Sequence, residues 1–158
     1  MVKLLKLSGR WVAFLVNIWP PLLFTGIRFR YVSDDLRTIK VEMPLRFYNR
    51  NIIGVHYGGS LFSMLDPCYM MMLQRNLGSS YRVIDQSASI QFIKAGVGTV
   101  SAECHLSQDD IDDIIEKTRT GEKYLKSFAI NIVDEVGDIV ASNDRVVYIR
   151  KKRPKKNN

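Results

Sequence analysis

Residues 58–77 form an apolar segment that limits, more than any other feature, how this chain can fold. The segment opens with Gly58-Gly59, contains few charges, and carries the large apolar side chains Leu61, Phe62, Met64, Leu65, Tyr69, Met70, Met72 and Leu73. This composition is typical of a helix that is buried on most sides. Pro67 interrupts it, so either one long helix bends there or Asp66 caps a second helix that starts at Pro67. We favour one bent helix that ends at Gly78.

Strand patterns flank this segment on both sides. Alternation of apolar and polar residues predicts strands at 27–31, 39–43, 81–93, 99–106, 128–132 and 139–150. Ser107 and Asp110 have the spacing of a capping box, which predicts a short helix closed by Gly121. An antiparallel sheet of about six strands that curls around the buried helix is the simplest arrangement of these elements. The sequence therefore predicts an α+β domain with a long central helix and an extra N-terminal helix.

The first 24 residues predict that extra helix. Apolar residues recur at helical spacing, at Leu4, Leu7, Trp11, Phe14, Leu15 and Ile18, and Pro20-Pro21 ends the pattern. The run is shorter than the roughly 20 apolar residues that span a bilayer. We favour an amphipathic helix that packs on the domain. A helix on a membrane surface and an export signal are the alternatives.

The net charge of +7 belongs mainly to the carboxyl-terminal end of the chain. Six of the 23 basic residues lie in the last nine positions, and the remainder of the chain has 17 basic residues against 16 acidic ones. Nucleic acid is therefore not an expected partner. We divide the chain into the helix at 1–24, a single domain at 25–150 and a basic disordered tail at 151–158.

Cys68 and Cys104 have neither metal-ligand spacing nor the pattern of a disulfide framework. Both lie among apolar neighbours, so we expect them to be reduced and buried, as in a cytoplasmic protein. His56 and His105 are the only histidines, and we predict neither a metal site nor a cofactor. The sequence also lacks a nucleophile elbow, a phosphate-binding loop and a dinucleotide fingerprint.

The start of the apolar segment and Asp66 are the candidate chemical groups. Gly58 and Gly59 let the backbone approach a ligand, and the first N–H groups of a helix have no partner within it. Such donors suit a thioester carbonyl that is becoming an oxyanion. Asp66, two turns later, could activate a water as general base or attack directly. Alternatively, the glycines only allow a tight helix start, Asp66 only caps a helix, and His56 is structural.

Several of these residues, in this order, resemble the hot-dog acyl-CoA thioesterases of the phenylacetate-pathway type. The resemblance rests on Asn51, followed after five residues by Tyr57-Gly58-Gly59 and after six more by Asp66. The chain more closely resembles an uncharacterised branch of that superfamily, on the runs Trp19-Pro20-Pro21, His56 to Ser60, Asp66-Pro67 and Tyr148 to Lys152, and the likeness extends over residues 10–152. Two positions depart from the thioesterase pattern, with Tyr57 in place of histidine before the glycine pair and Pro67 directly after the acid.

The resemblance implies a role for each matched residue. Asp66 would activate or deliver the nucleophile, Gly58 with Gly59 would polarise the carbonyl, and Asn51 would position substrate or water. The family's serine or threonine on the strand after the helix falls near Asp85 to Ser87, in a register that the pattern leaves open. Asp85 and Ser87 are therefore substrate-binding candidates, together with His56, Tyr57 and Phe62. In such proteins the site is shared between two subunits, which implies a homodimer or homotetramer.

We therefore expect hydrolysis of an acyl-CoA or a related acyl thioester, with coenzyme A entering only as part of the substrate. Lys94, Arg82 and the basic tail are candidate partners for its phosphates. The methionines at 64 and 70–72 suit either an adaptable acyl slot or a plain core. A non-catalytic acyl-CoA-binding protein of the same fold and a membrane-surface protein are the alternative functions.

Overall fold

Six antiparallel strands form one sheet in the order β1-β2-β4-β5-β6-β3. The computed structural model describes residues 7–152. Its strands are β1 (Arg28–Val32), β2 (Thr38–Pro44), β3 (Tyr81–Phe92), β4 (Thr99–His105), β5 (Lys123–Val133) and β6 (Ile139–Lys151). Its helices are α1 (Gly9–Asn17), α2 (Pro20–Leu23), α3 (Gly58–Leu65), α4 (Cys68–Leu77) and α5 (Gln108–Lys117).

The apolar segment lies against one face of this sheet. Met64, Leu65, Met72 and Leu73 have no exposed surface, and neither do the facing strand residues Ile39, Val41, Val147 and Ile149. Burial of this apolar face against the sheet is the main stabilising contact between the two layers. The predicted α+β hot-dog architecture, with a helical core packed on an antiparallel sheet, is confirmed.

The central helix bends at the proline. α3 ends at Leu65 and α4 begins at Cys68, while Asp66 and Pro67 keep right-handed helical angles between them. Pro67 has no N–H to continue the ladder, which accounts for the break. Its carbonyl accepts from Met71 N at 3.1 Å, so α4 continues from it. The segment is thus closest to the favoured prediction of one bent helix.

The N-terminal segment packs on the domain by a different face from the one predicted. Val12 and Val16 are buried in the core, whereas Trp11, Phe14 and Ile18 are about half exposed. Gly9 explains the choice, because a Cβ there would lie 1.9 Å from the carbonyl oxygen of Val32. The predicted contact face through Trp11, Phe14 and Ile18 is wrong, and Leu4 lies outside the described residues.

Asn17 fixes α1 to the edge of the sheet. Its side chain donates to the Phe29 carbonyl at 3.1 Å and accepts from the Phe29 N–H at 2.7 Å. These are the groups that an additional strand would pair, so α1 blocks the free edge of β1.

Two smaller features also agree with the sequence. Ser107 and Asp110 form the predicted capping box at the start of α5. Cys68 and Cys104 are free and buried.

No helix within residues 7–152 is long and apolar enough to cross a membrane. β6 runs to Lys151, one residue past the predicted domain boundary, and the tail from 153 onward lies outside the described residues.

Candidate functional site

Asp66 lies on the bend between α3 and α4. Its side chain is 61% exposed, although Leu65 and Cys68 on either side of the bend are fully buried. The N-cap position of α4 is Pro67, and that helix has no side-chain cap, whereas the Asp66 N–H donates to the Ser63 carbonyl at the end of α3. The alternative in which Asp66 only caps a helix is therefore wrong.

A buried arginine holds this carboxylate. Arg145, on the inner face of β6, is 1% exposed, and its Nη1 lies 3.3 Å from Asp66 Oδ1 and 2.6 Å from Asp85 Oδ2. The guanidinium carbon also lies 5.5 Å from the centre of the Phe62 ring, a cation–π distance. A buried charge is costly unless it is paired, so the two carboxylates are what allow Arg145 to remain inside.

Asp85 experiences opposing effects in this cluster. Burial raises the pKa of Asp85, Arg145 lowers it, and the negative charge of Asp66 raises it, with a net upward shift. The folded state therefore binds a proton at Asp85 more tightly than the unfolded chain does. By linkage, the stability associated with this group is present at low pH and is lost as the pH rises through the raised folded pKa.

Unpaired polar atoms surround the ion pair. Within residues 7–152, Nε and Nη2 of Arg145 and both amide atoms of Asn143 are buried without a hydrogen-bond partner. Asn143 lies two residues before Arg145 on the same face of β6. Because buried polar groups are normally hydrogen-bonded, these atoms mark a polar patch on the inner face of β6.

The glycine pair starts α3 between two aromatic rings. A Cβ on Gly58 would lie 2.7 Å from Phe92 Cζ, and a Cβ on Gly59 would lie 2.4 Å from Tyr57 Cε1. Tyr57 is the N-cap residue and is 57% exposed. The first N–H groups of α3 therefore lie at a surface where only glycine fits without moving a ring.

His56 and Asn51 organise the loop that leads to this helix. His56 is 3% exposed, and its Nε2 lies 3.1 Å from the carbonyl oxygen of Gly98. Burial lowers the pKa of His56, and the contact with Gly98 opposes that shift only in part, so the imidazole is neutral at pH 7. Asn51 Oδ1 accepts from the N–H groups of Ile53 and Val55 at 3.1 and 3.2 Å. In this chain both residues fix the loop conformation.

The sequence-derived site residues fall into two groups. Asp66, Asp85 and Phe62 meet around Arg145, while Asn51, His56, Tyr57, Gly58 and Gly59 lie at the start of α3. Eight residues of helix separate Asp66 from Gly58, which is about 12 Å at 1.5 Å per residue. One chain therefore does not bring the carboxylate and the helix N-terminus to the same atom.

Ser87 belongs to neither group. An irregularity in the pairing between Asp85 and Ser87 shifts the register of β3 against β6, so that Ser87 pairs with Val146 rather than with an inward-facing residue. Asp85 faces the inner layer, whereas Ser87 is exposed on the other face.

Arg145 and Asn143 were missed from the sequence, although a signal was present. Ala141, Asn143, Arg145, Val147 and Ile149 share one face of β6 at a period of two, and that face is otherwise apolar. Two polar residues in register with buried apolar ones indicate a buried polar cluster.

Within residues 7–152 no group of three or more His, Cys, Asp or Glu side chains is placed to hold a metal ion.

Removing the guanidinium tests this cluster. We expect Arg145→Met to lower the free energy of unfolding by about 3–5 kcal/mol at pH 7, because Asp85 is left charged and largely buried. The loss should be smaller at acidic pH, because Asp85 without its arginine then takes up a proton. Urea unfolding at both pH values measures this.

The double variant Arg145→Met/Asp85→Asn is the control. Its loss of unfolding free energy relative to the parent should be the same at both pH values. An equal loss at both pH values in the single variant would contradict the assignment of Asp85 as the unpaired buried charge.

Solved structures with the same fold are known from several bacteria. A Pseudomonas aeruginosa protein of unknown function, called a probable thioesterase, aligns with a TM-score of 0.83 and 20% identity over 92% of this chain and 97% of that one. A Haemophilus influenzae thioesterase aligns with a TM-score of 0.68 and 12% identity over 96% of both chains. A mutant thioesterase from Pseudomonas aeruginosa gives 0.66 and 14% over 92% of this chain and 96% of that one. At these identities the likeness shows the hot-dog fold alone.

The sequence itself matches a family. Among curated proteins no sequence matches the chain. The family described as a domain of unknown function, DUF4442, matches residues 9–149, which is most of the chain. The chain therefore belongs to the DUF4442 family and has a hot-dog fold.

Proposed function

We propose that this protein hydrolyses acyl thioesters, with acyl-CoA as the substrate class. The observation that carries the proposal is Asp66, an exposed carboxylate held in place by a buried arginine in an otherwise apolar helix. A carboxylate fixed by Arg145 but open to solvent has the placement that a general base needs. The fold shared with structures called thioesterases supports the same conclusion.

The chemistry assigns one role to each group. In the general-base route, Asp66 accepts a proton from a water that attacks the thioester carbonyl carbon, the carbon–sulfur bond breaks, and the coenzyme A thiolate leaves with that proton. In the nucleophilic route, Asp66 attacks the carbon and expels the thiolate, and a water then hydrolyses the mixed anhydride, which regenerates the carboxylate and supplies the proton of the thiol. The N–H groups of Gly58 and Gly59 stabilise the negative charge that develops on the carbonyl oxygen. Arg145 keeps Asp66 in a fixed orientation and acts as a positioning residue.

We propose that the complete site is formed by two copies of the chain. The separation of about 12 Å between Asp66 and Gly58 requires the helix N-terminus to come from another subunit. β3 pairs only with β6, so among residues 7–152 its outer edge has no strand partner, whereas Asn17 blocks the edge of β1. Unpaired edges of this length pair readily with a second copy.

The phosphates of coenzyme A have a candidate site at one end of the sheet. Lys94 is engaged, because its ammonium lies 2.6 Å from both Asp134 and Asp138. Arg82, Arg150, Lys151 and Lys152 instead line one depression around Tyr148. Of the cations named from the sequence, Arg82 and the start of the basic tail are therefore the better partners for phosphate.

Replacing the carboxylate tests the proposal. We expect Asp66→Asn to lower the rate of thiol release from acyl-CoA esters by about 100-fold or more, because the proton acceptor is lost. The measurement is release of coenzyme A detected with a chromogenic thiol reagent. Neither native thiol interferes with the reagent, because Cys68 and Cys104 are both buried. The pKa of the Cys68 thiol is raised by its contact with Cys104 and by burial.

Asp144→Asn is the matched control, because Asp144 is an exposed carboxylate one residue before Arg145 on the outer face of β6. This variant should retain the parent rate. A folded parent protein that binds acyl-CoA but releases no thiol from any ester would replace hydrolysis with a binding function.

Membrane-surface attachment is a second candidate, favoured by the apolar surface of α1 and α2. Trp11, Phe14, Trp19 and Phe24 are each at least half exposed. Aromatic residues of this kind insert at a membrane interface, and nearby basic residues favour anionic lipid.

The full chain should sediment with vesicles containing phosphatidylserine, and salt should weaken the binding. Absence of salt-sensitive sedimentation would remove this candidate.

A further inference from the structure

A recess lies between the N-terminal helices and α4, and it ends at Asp66. It has a volume of about 500 Å³, within the range of small-molecule sites. Leu15, Ile18 and Trp19 form one wall, and Met70, Met71 and Gln74 form the other. We infer that this recess binds the aliphatic acyl chain of the substrate, with the thioester carbonyl at Asp66, an inference that rests on the proposed thioester hydrolysis.

The walls of the recess select an apolar ligand. Gln74 is the polar side chain along the α4 wall, and its Nε2 donates to the Gly78 carbonyl at 2.9 Å, which closes the end of the helix. The remaining polar group is the Asp66 carboxylate. Apart from Gln74 and Asp66, these walls offer a hydroxylated or charged acyl group no polar side chain, whereas an alkyl chain needs none.

The recess also has a direction. Asp66, Met70 and Gln74 are spaced four residues apart and so lie along one side of the α4 segment, about 12 Å from first to last. The reactive end is at Asp66, where Arg145 holds the carboxylate. The alkyl chain therefore extends from Asp66 toward Gln74 beneath α1 and Trp19.

The methionines separate into two groups in this arrangement. Met64 and Met72 are fully buried and belong to the core, whereas Met70 and Met71 face the recess. Unbranched methionine side chains adapt to ligands of different length. Met70 is partly buried, so a larger side chain there would fill the recess rather than the core.

Tryptophan fluorescence tests binding without any need for turnover. Trp19 lines the recess and Trp11 does not, although the two are 50% and 58% exposed. Titration of Trp11→Phe, in which Trp19 is the only tryptophan, with dodecan-1-ol, a neutral twelve-carbon chain, should give a saturable blue shift of the emission. Trp19→Phe, which retains Trp11, should give none. Equal shifts in both variants would overturn the inference, and so would the absence of a shift in either. A shift that follows the protein concentration and not the concentration of the added ligand would also overturn it.

Hydrolysis of a chain-length series tests the same recess during turnover. The ratio of kcat/KM for dodecanoyl-CoA to that for acetyl-CoA should exceed 100 in the parent, since each buried methylene group contributes roughly a fourfold gain. Met70→Trp should reduce this ratio at least tenfold, because the larger side chain fills the recess that the longer acyl chain would occupy. Leu23→Trp, at an exposed position of α2 outside the recess, should leave the ratio unchanged.

The two outcomes can be separated. A blue shift of Trp19 without thiol release would overturn thioester hydrolysis and leave the chain-binding recess in place. Thiol release with no dependence on chain length, and with no effect of Met70→Trp, would overturn the recess and leave the hydrolysis in place.

Discussion

The buried guanidinium of Arg145 is the interaction on which the rest of this structure depends. A charge that is 1% exposed must be paired, and its partners come from two other elements, Asp85 on β3 and Asp66 on the helix bend. Pro67 interrupts the helix at the bend that carries Asp66, and Asp85 reaches the inner face by alternation with the buried Tyr81 and Val83. The same contacts that stabilise the interior therefore orient Asp66, the more exposed of the two carboxylates that pair with Arg145.

Much of the fold could be predicted because local patterns reported it. Apolar periodicity separated the central helix from the strands, and Ser107 with Asp110 identified the start of α5. The contact face of α1 was predicted wrongly, because Val12 and Val16 contact the core only through the close approach that Gly9 permits. That approach depends on the position of Val32, a neighbour distant in sequence, and helical periodicity does not report it.

The candidate site was only partly accessible from the sequence. Asp66 and the glycine pair were identified from their spacing, since a lone carboxylate in an apolar helix is unusual. Arg145 was not identified, because it lies 79 residues from Asp66 and only the packing of the helix bend against β6 brings the two together. The sequence does not report the register shift in β3 after Asp85. That shift of one residue places Ser87 on the face of the sheet away from the site.

The central claim is that Asp66 of one chain works with the helix N-terminus of another, and complementation tests it most directly. Asp66→Asn and Gly58→Val are each expected to be inactive, the second because a Cβ at Gly58 would lie 2.7 Å from Phe92 Cζ. Each is first shown to be folded, and the two are then unfolded together and refolded as a mixture. Random pairing should restore about a quarter of the parent thioesterase activity, since each mixed dimer has one intact site. No recovery in a mixture shown to contain mixed dimers would contradict a site built from two chains.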